Sequence, residues 1–143
     1  MTERIRVLIL CTGNSARSQM AEGLLRQMAG DRVEVASAGV APTRVRQEAI
    51  AAMKEIGIDI NEQRAKSIEE FPKDSFDYVI TVCDNANQQC PAFPGASHIH
   101  WSIEDPAAVA GDENTRLKAF RIARDDLIQR LREFIKSNLV LPD

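Results

Sequence analysis

Arg4-Ile5-Arg6-Val7-Leu8-Ile9-Leu10 runs directly into Cys11-Thr12-Gly13-Asn14-Ser15-Ala16-Arg17-Ser18, and the reading of this junction decides the fold. The first segment is an apolar run of strand length, rich in β-branched residues. Beyond the junction, Gln19, Met20, Ala21, Glu22, Leu24, Leu25, Arg26, Gln27 and Met28 are mostly good helix formers. The order is strand, loop, helix.

The rest of the chain continues this alternation. Val33 to Ser37 reads as a second strand, which leaves through Ser37-Ala38-Gly39 toward Pro42. A helix is predicted over Val45 to Ile56, where Ala49, Ile50, Met53 and Ile56 fall at helical spacing, with Gly57 closing it. Phe76 to Val82 is a third strand, apolar enough to be buried on both faces, and Ser97 to Trp101 a fourth. From Thr115 to Ser137, Leu117, Phe120, Ala123, Leu127, Leu131, Phe134 and Ile135 form the stripe of an amphipathic helix. Strands alternating with helices imply an α/β fold: a four-stranded, parallel, doubly wound sheet with helices on both faces and right-handed crossovers. Ligands bind such a sheet at the carboxyl ends of its strands, where Cys11 and Cys83 both fall. The 143 residues contain no internal repeat, low-complexity tract or linker, so a single domain spanning 1–143 is expected.

The net charge of -3 argues against a general nucleic-acid or membrane-surface binder, because no broad basic face is available to repay phosphate desolvation. Any anion site must be local and preorganised. The opening Met1 to Cys11 has the basic-then-apolar order of a signal or lipoprotein peptide, but the apolar run is only about six residues. A large Leu10 also stands where a signal peptidase needs a small residue. No stretch approaches transmembrane length. A cytoplasmic protein is expected, and in that compartment structural disulfides are rare. Three cysteines, an odd number, point to reactive rather than architectural sulfur.

The loop from 11 to 18 has the makings of an oxyanion cradle. Its backbone N–H groups and the dipole of the following helix converge on an anion. Gly13 lets the backbone close up without a Cβ, and Asn14 tolerates a left-handed conformation. Arg17 offers two parallel donors to a tetrahedral oxyanion, and Ser18 a hydroxyl to the Cys11 sulfur. The loop therefore both binds an oxyanion and arms a nucleophile against it. It is not the nucleotide P-loop, because G-x-x-x-x-G-K-[ST] occurs nowhere.

Cys83 and Cys90 flank six mostly polar residues. Were residues 83 to 90 a regular helix, seven steps of about 1.5 Å would part their Cα atoms by about 10 Å, beyond the roughly 7 Å reach of a disulfide. The two thiols can join only if such a helix unravels, and Asp84, Asn85 and Asn87 are poor helix formers that make unravelling easy. Asp105-Pro106 alone reads as a turn or helix cap. A zinc site from Cys83, Cys90, His98 and His100 is a weaker reading. C-x6-C is wide for a zinc knuckle, and the two histidines, alternating with Ile99 and Trp101, fit the solvent side of a strand.

Cys11 through Gly23 resembles the phosphate-binding loop and first helix of the low-molecular-weight protein tyrosine phosphatase fold, specifically its thioredoxin-coupled arsenate reductase branch. The resemblance continues through Ser37-Ala38-Gly39, Thr81-Val82-Cys83, Cys90-Pro91 and Asp105-Pro106. It implies Cys11 as nucleophile, Arg17 as oxyanion ligand and Asp105 as a general acid on a mobile loop. It implies supporting roles for Thr12, Gly13, Asn14, Ser15, Ala16, Ser18 and Ser37. It further implies arsenate as substrate, with phosphate or sulfate as competing anions, and a disulfide passed from Cys11–Cys83 to Cys83–Cys90 for thioredoxin to reduce. A monomer without a cofactor is expected.

Two departures from the family pattern stand out. Ala16 replaces the second loop cysteine of many phosphatases, and Ala107 and Ala108 replace the aromatics that flank a phosphotyrosine ring. Some reductases of this branch bind potassium through residues matching Asn14, Glu22 and Ser37 plus a further acid, near whose place Lys66 stands here. A lysine ammonium can substitute for the ion, so no potassium requirement is expected. Two readings compete with the reductase: a phosphomonoester phosphatase, which needs only Cys11, Arg17 and Asp105, and a non-catalytic anion-binding or redox-signalling module.

Overall fold

Val7, Leu8, Ile9 and Leu10 are all fully buried, and because alternate side chains of a strand point to opposite faces, both faces of this strand are covered. The structure, a computed structural model, describes residues 4–139. The ends of the expected 1–143 domain, and the first three residues of the Met1 to Cys11 stretch, lie outside the described residues.

The strand is β1 (Ile5–Cys11), and it lies inside a sheet with β2 (Val33–Gly39), β3 (Tyr78–Thr81) and β4 (Ser97–His100). All neighbours are parallel, in the order β2-β1-β3-β4. The chain leaves β1 for β2 on one side and comes back to β3 on the other, so a topological switch point opens between the carboxyl ends of β1 and β3. Cys11 ends β1, and Cys83 follows β3 by two residues.

Four helices accompany the sheet: α1 (Arg17–Ala29), α2 (Gln47–Lys54), α3 (Asp84–Gln89) and α4 (Glu113–Asn138). Helices α1, α2 and α4 pack on one another, with Leu24, Leu25, Met53, Phe120, Leu127 and Leu131 in the shared core. Among the described residues no helix is long and apolar enough to cross a membrane.

The element boundaries differ from the sequence expectation for local reasons. β3 is shorter than Phe76 to Val82, since the Asp77 carboxylate accepts the Arg6 N–H at 2.8 Å and Phe76 turns to pack edge-on against Phe71 and Phe93. α4 starts two residues early because Asp112 caps it, accepting the Thr115 N–H at 2.8 Å. α2 begins at Gln47 rather than Val45 because Arg46 is extended and gives its N–H to the Ser15 carbonyl at 2.9 Å.

The carboxylate of Glu55, just past α2, is gripped by two arginines of α4. Arg121 donates from Nε and Nη2 at 2.9 and 2.6 Å, and Arg124 from Nη1 at 2.9 Å. The Arg121 hydrogen bonds, reinforced by Arg124 against a smaller opposing effect of burial, hold the Glu55 carboxyl down at about 2. A carboxyl depressed in the folded state stabilises the protein above its ordinary value near 4.5, and that contribution is lost as pH falls through about 2. Glu55→Gln is therefore expected to flatten the decline in stability across this acid window while changing its slope little near neutrality. Urea unfolding midpoints measured across the pH range check this, and an unchanged acid slope refutes the pairing.

Gly39 pairs with Cys11 across the β1–β2 ladder. A Cβ on Gly39 would lie 2.6 Å from the Thr12 carbonyl oxygen and 2.9 Å from the Asn14 nitrogen, both backbone atoms that have nowhere to move. Gly39→Ala is expected to destabilise by about 1–3 kcal/mol, as overpacked cores do. Thermal unfolding should fall by several degrees, at about 2–4 °C per kcal/mol for a chain of this size. A melting temperature within a degree of the parent would show that the loop does not lean on this gap.

Candidate active site

The loop after β1 is built on one residue. Asn14 adopts a left-handed φ of 49° and is fully buried, which an asparagine tolerates when its side chain is paired. All of its side-chain capacity is used. Nδ2 donates to Ser18 Oγ at 2.8 Å and to Ser37 Oγ at 2.9 Å, and Oδ1 accepts from Gln19 Nε2 at 2.9 Å and from the Lys66 N–H at 2.8 Å. Because Ser18 Oγ already accepts from Asn14, its own proton is free for the Cys11 sulfur 2.8 Å away. A donor aimed at sulfur is what a nucleophilic thiolate requires.

Helix α1 begins beside that sulfur without a side-chain cap at Ala16 and without an acidic residue in its first turn. Its free N–H groups are left for an anion. Arg17, mostly buried, donates from Nη1 to the Ile103 carbonyl at 2.8 Å, and its Nη2 lies 3.8 Å from Asp105 Oδ2. Asp105 caps a short turn through Pro106–Ala108 by accepting the Ala107 N–H, so it is at once the turn residue and a cavity residue. The cavity, about 180 Å³, is lined by Cys11, Thr12, Gly13, Ser15, Ala16, Arg17, Asp105 and Ala107. Thr43 and Arg46 also line it. Neither of these two is legible in the sequence. The 40–46 segment reaches the loop through backbone bonds alone, Ala41 to Thr12, Thr43 to Gly13 and Arg46 to Ser15, each 2.9 Å, and no residue spacing announces them. A larger cavity of about 440 Å³ on the far side of the 102–109 segment contains neither cysteine nor arginine.

Under the loop, Ser37 Oγ donates to Glu22 Oε1 at 2.7 Å, and the Lys66 ammonium stands 3.7 Å from the same oxygen while donating to the Arg64 carbonyl. The residues that match a potassium site in relatives do not fit that ion here. Glu22 Oε1 is taken by a hydroxyl and an ammonium, and Asn14 Oδ1 by two N–H groups. Lys66 carries the positive charge in that place.

Cys83 ends the β3 segment on the other side of the switch point, buried like Cys11. Its sulfur lies 3.3 Å from Thr12 Oγ1 and accepts the Ala86 N–H at 3.3 Å, as the cap of α3. The residues between the cysteines do form a helix, of six residues, with Cys83 and Cys90 as its two caps. All three cysteines are free. Cys90 is half-buried, and burial pushes its thiol up.

Only Ala86 of α3 is buried, and polar ties from outside hold the rest. Asn85 Nδ2 donates to Thr12 Oγ1 at 2.9 Å. His100 lies on the exposed side of β4, as expected, and both of its ring nitrogens are engaged there, Nε2 with Asp84 Oδ1 at 2.9 Å and Nδ1 with Thr81 Oγ1 at 2.8 Å. Thr81 in turn donates to Asn87 at 3.2 Å. Hydrogen bonds from His100 first, then Ser102, hold the Asp84 carboxyl below its usual range.

The matches to known proteins follow this geometry. The family model described as low molecular weight phosphotyrosine protein phosphatase matches residues 6–139. An arsenate reductase of Halalkalibacterium halodurans is 41% identical over 132 residues, covering 92% of this chain and 95% of that protein. A solved arsenate reductase in its phosphate-binding state superposes with a TM-score of 0.82 at 34% identity, over 93% of this chain and 98% of that one. A thioredoxin-dependent arsenate reductase of Corynebacterium glutamicum superposes with a TM-score of 0.73 at 30% identity, over 95% of this chain and 62% of that one. Over nearly its whole described length, then, the chain belongs to the low molecular weight phosphotyrosine protein phosphatase family, on the branch of the arsenate reductases.

Proposed function

We propose that this protein reduces arsenate to arsenite, with Cys11 as nucleophile and electrons drawn through Cys83 and Cys90 from thioredoxin. The observation that carries the reading is the position of Cys83, whose sulfur meets Thr12 Oγ1 at 3.3 Å, one residue along the chain from Cys11. A hydrolase has no use for a second thiol there. The similar arsenate reductases support the substrate, and the thioredoxin-dependent one supports the electron donor.

Arsenate enters the cradle of α1 N–H groups beside Arg17. The Cys11 thiolate attacks arsenic, and the leaving oxygen departs as water after taking a proton from Asp105, giving a covalent Cys11–arsenic adduct. Cys83 then attacks the Cys11 sulfur. A sulfur–sulfur bond forms and the arsenic–sulfur pair stays on arsenic, so arsenic gains two electrons and leaves as arsenite. Cys90 next attacks Cys83, Cys11 departs as thiolate, and the Cys83–Cys90 disulfide awaits thioredoxin.

The last transfer is gated twice. Across α3 the two Cα atoms stand about 10 Å apart, which exceeds disulfide reach of roughly 7 Å. Burial also pushes the Cys90 thiol up, which makes its thiolate harder to form. Unwinding α3 removes both obstacles together.

A phosphomonoester reaction needs no more than Cys11, Arg17 and Asp105. The cavity is lined by no aromatic ring, so an aryl ester would find nothing to stack on.

Cys90→Ser is expected to release one arsenite per enzyme molecule and then stop when thioredoxin is the sole reductant. Steady-state turnover in that variant would sink the relay. Oxidation is expected to unfold the helix between the outer cysteines, so amide exchange at residues 84–89 should speed up by at least tenfold on forming the Cys83–Cys90 disulfide. Equal protection in reduced and oxidised protein would refute the unwinding step.

A further inference from the structure

Arg46 stands out among the residues that line the catalytic cavity. Arg17 is already engaged by the Ile103 carbonyl and by Asp105. Arg46 has no such partner: its Nε is buried without an acceptor, and among the described residues no carboxylate lies within ion-pair distance of it. Arg46 is only half-buried and lines the cavity, so with no carboxylate claiming its guanidinium, the outer N–H groups are available to an anion that enters. The same side chain also lines an adjoining cavity of about 220 Å³ with Arg44 and Arg116, where Glu48 offsets only Arg116, at 2.6 Å. Arg46 therefore stands between a cationic vestibule and the catalytic loop, and its backbone is fixed there by the bond to Ser15.

We propose that Arg46 is a second oxyanion-binding cation of the catalytic cavity, which takes a doubly charged tetrahedral oxyanion from the Arg44–Arg116 vestibule and holds it against the α1 N-terminus. Arsenate and phosphate share the charge and shape this requires. The assignment rests on the arsenate-reduction reading for its substrate, but the anion site itself does not depend on any redox step. With Arg17 alone, Asp105 and the Cys11 thiolate would leave the cavity negative; Arg46 supplies the second positive charge that lets a doubly charged anion enter. Arg46 binds substrate before and during attack alike, so its loss should fall on binding rather than on chemistry.

The test is phosphate binding by calorimetry to reduced protein, paired with arsenate kinetics. Arg46→Gln is expected to weaken phosphate binding about tenfold, the effect of one charge-assisted hydrogen bond, and to raise the KM for arsenate by a similar factor with kcat within about twofold. Arg46→Lys should recover part of the affinity. Every substitution keeps the backbone bond to Ser15, and an unchanged thermal midpoint confirms that the loop is intact. Undiminished phosphate affinity in Arg46→Gln overturns the proposal, as does a fall in kcat with KM unmoved. Wild-type protein that binds phosphate through Arg46 but reduces no arsenate overturns the reductase reading instead and leaves the anion site standing.

Discussion

One buried asparagine holds the active site in shape. A left-handed residue at position 14 turns the chain from β1 into α1 within five residues, and that conformation persists because four hydrogen bonds saturate the side chain. Those bonds run to α1 through Ser18 and Gln19, to β2 through Ser37, and through Lys66 to the segment before the 3-10 turn at Ile68–Glu70. A fully satisfied polar network inside a protein is rigid, while one missing a partner is worse than an apolar core. The orientation of the Ser18 hydroxyl toward Cys11, the openness of the α1 N-terminus and the seating of the loop on Gly39 all follow from this constraint.

What was legible in the sequence divides along the same lines. Runs such as Val7 to Leu10 and the stripe through α4 announce themselves, because burial on a sheet or helix face imposes a period on the sequence. Cys11 to Ser18 is legible because all its chemistry is consecutive. Arg46 and Thr43 are not, since they reach the cavity by backbone pairing with residues some thirty positions earlier, and backbone bonds leave no signature in side chains. The exposure of His100 was legible, but its bonds to Asp84 and Thr81 were not. Its alternation with Ile99 marks the exposed face of the edge strand β4, while the partner on that face, Asp84, comes from α3 and leaves no sign in the spacing. The boundaries of α2 and β3 moved for equally local causes, the extended Arg46 and the Asp77 side chain bonded to Arg6.

The charges around the site fall into two sets. Beneath the loop, Glu22 accepts from Ser37 and faces two cations, Arg26 at 2.7 Å and Lys66 at 3.7 Å. Above the loop, Arg17 leans on the segment carrying Asp105, so anion binding at Arg17 and the placement of the acid are mechanically linked through one guanidinium. The rigid sheet and the three packed helices carry this arrangement, and the labile part of the molecule is confined to six residues between two cysteines.

That confinement has a consequence for survival under oxidative stress. Thiols are damaged by peroxide as thiolates exposed to solvent, and overoxidation beyond the sulfenic stage is not reversed by ordinary reductants. In the reduced molecule Cys11 and Cys83 are buried, and Cys90 is half-buried with its thiol pushed up by that burial. In the proposed relay Cys90 is called on only after Cys83 is bonded to Cys11, so the partner it meets is a disulfide. On that relay, the sulfur of the three that is least buried is also the one whose thiolate is hardest to form before it is needed.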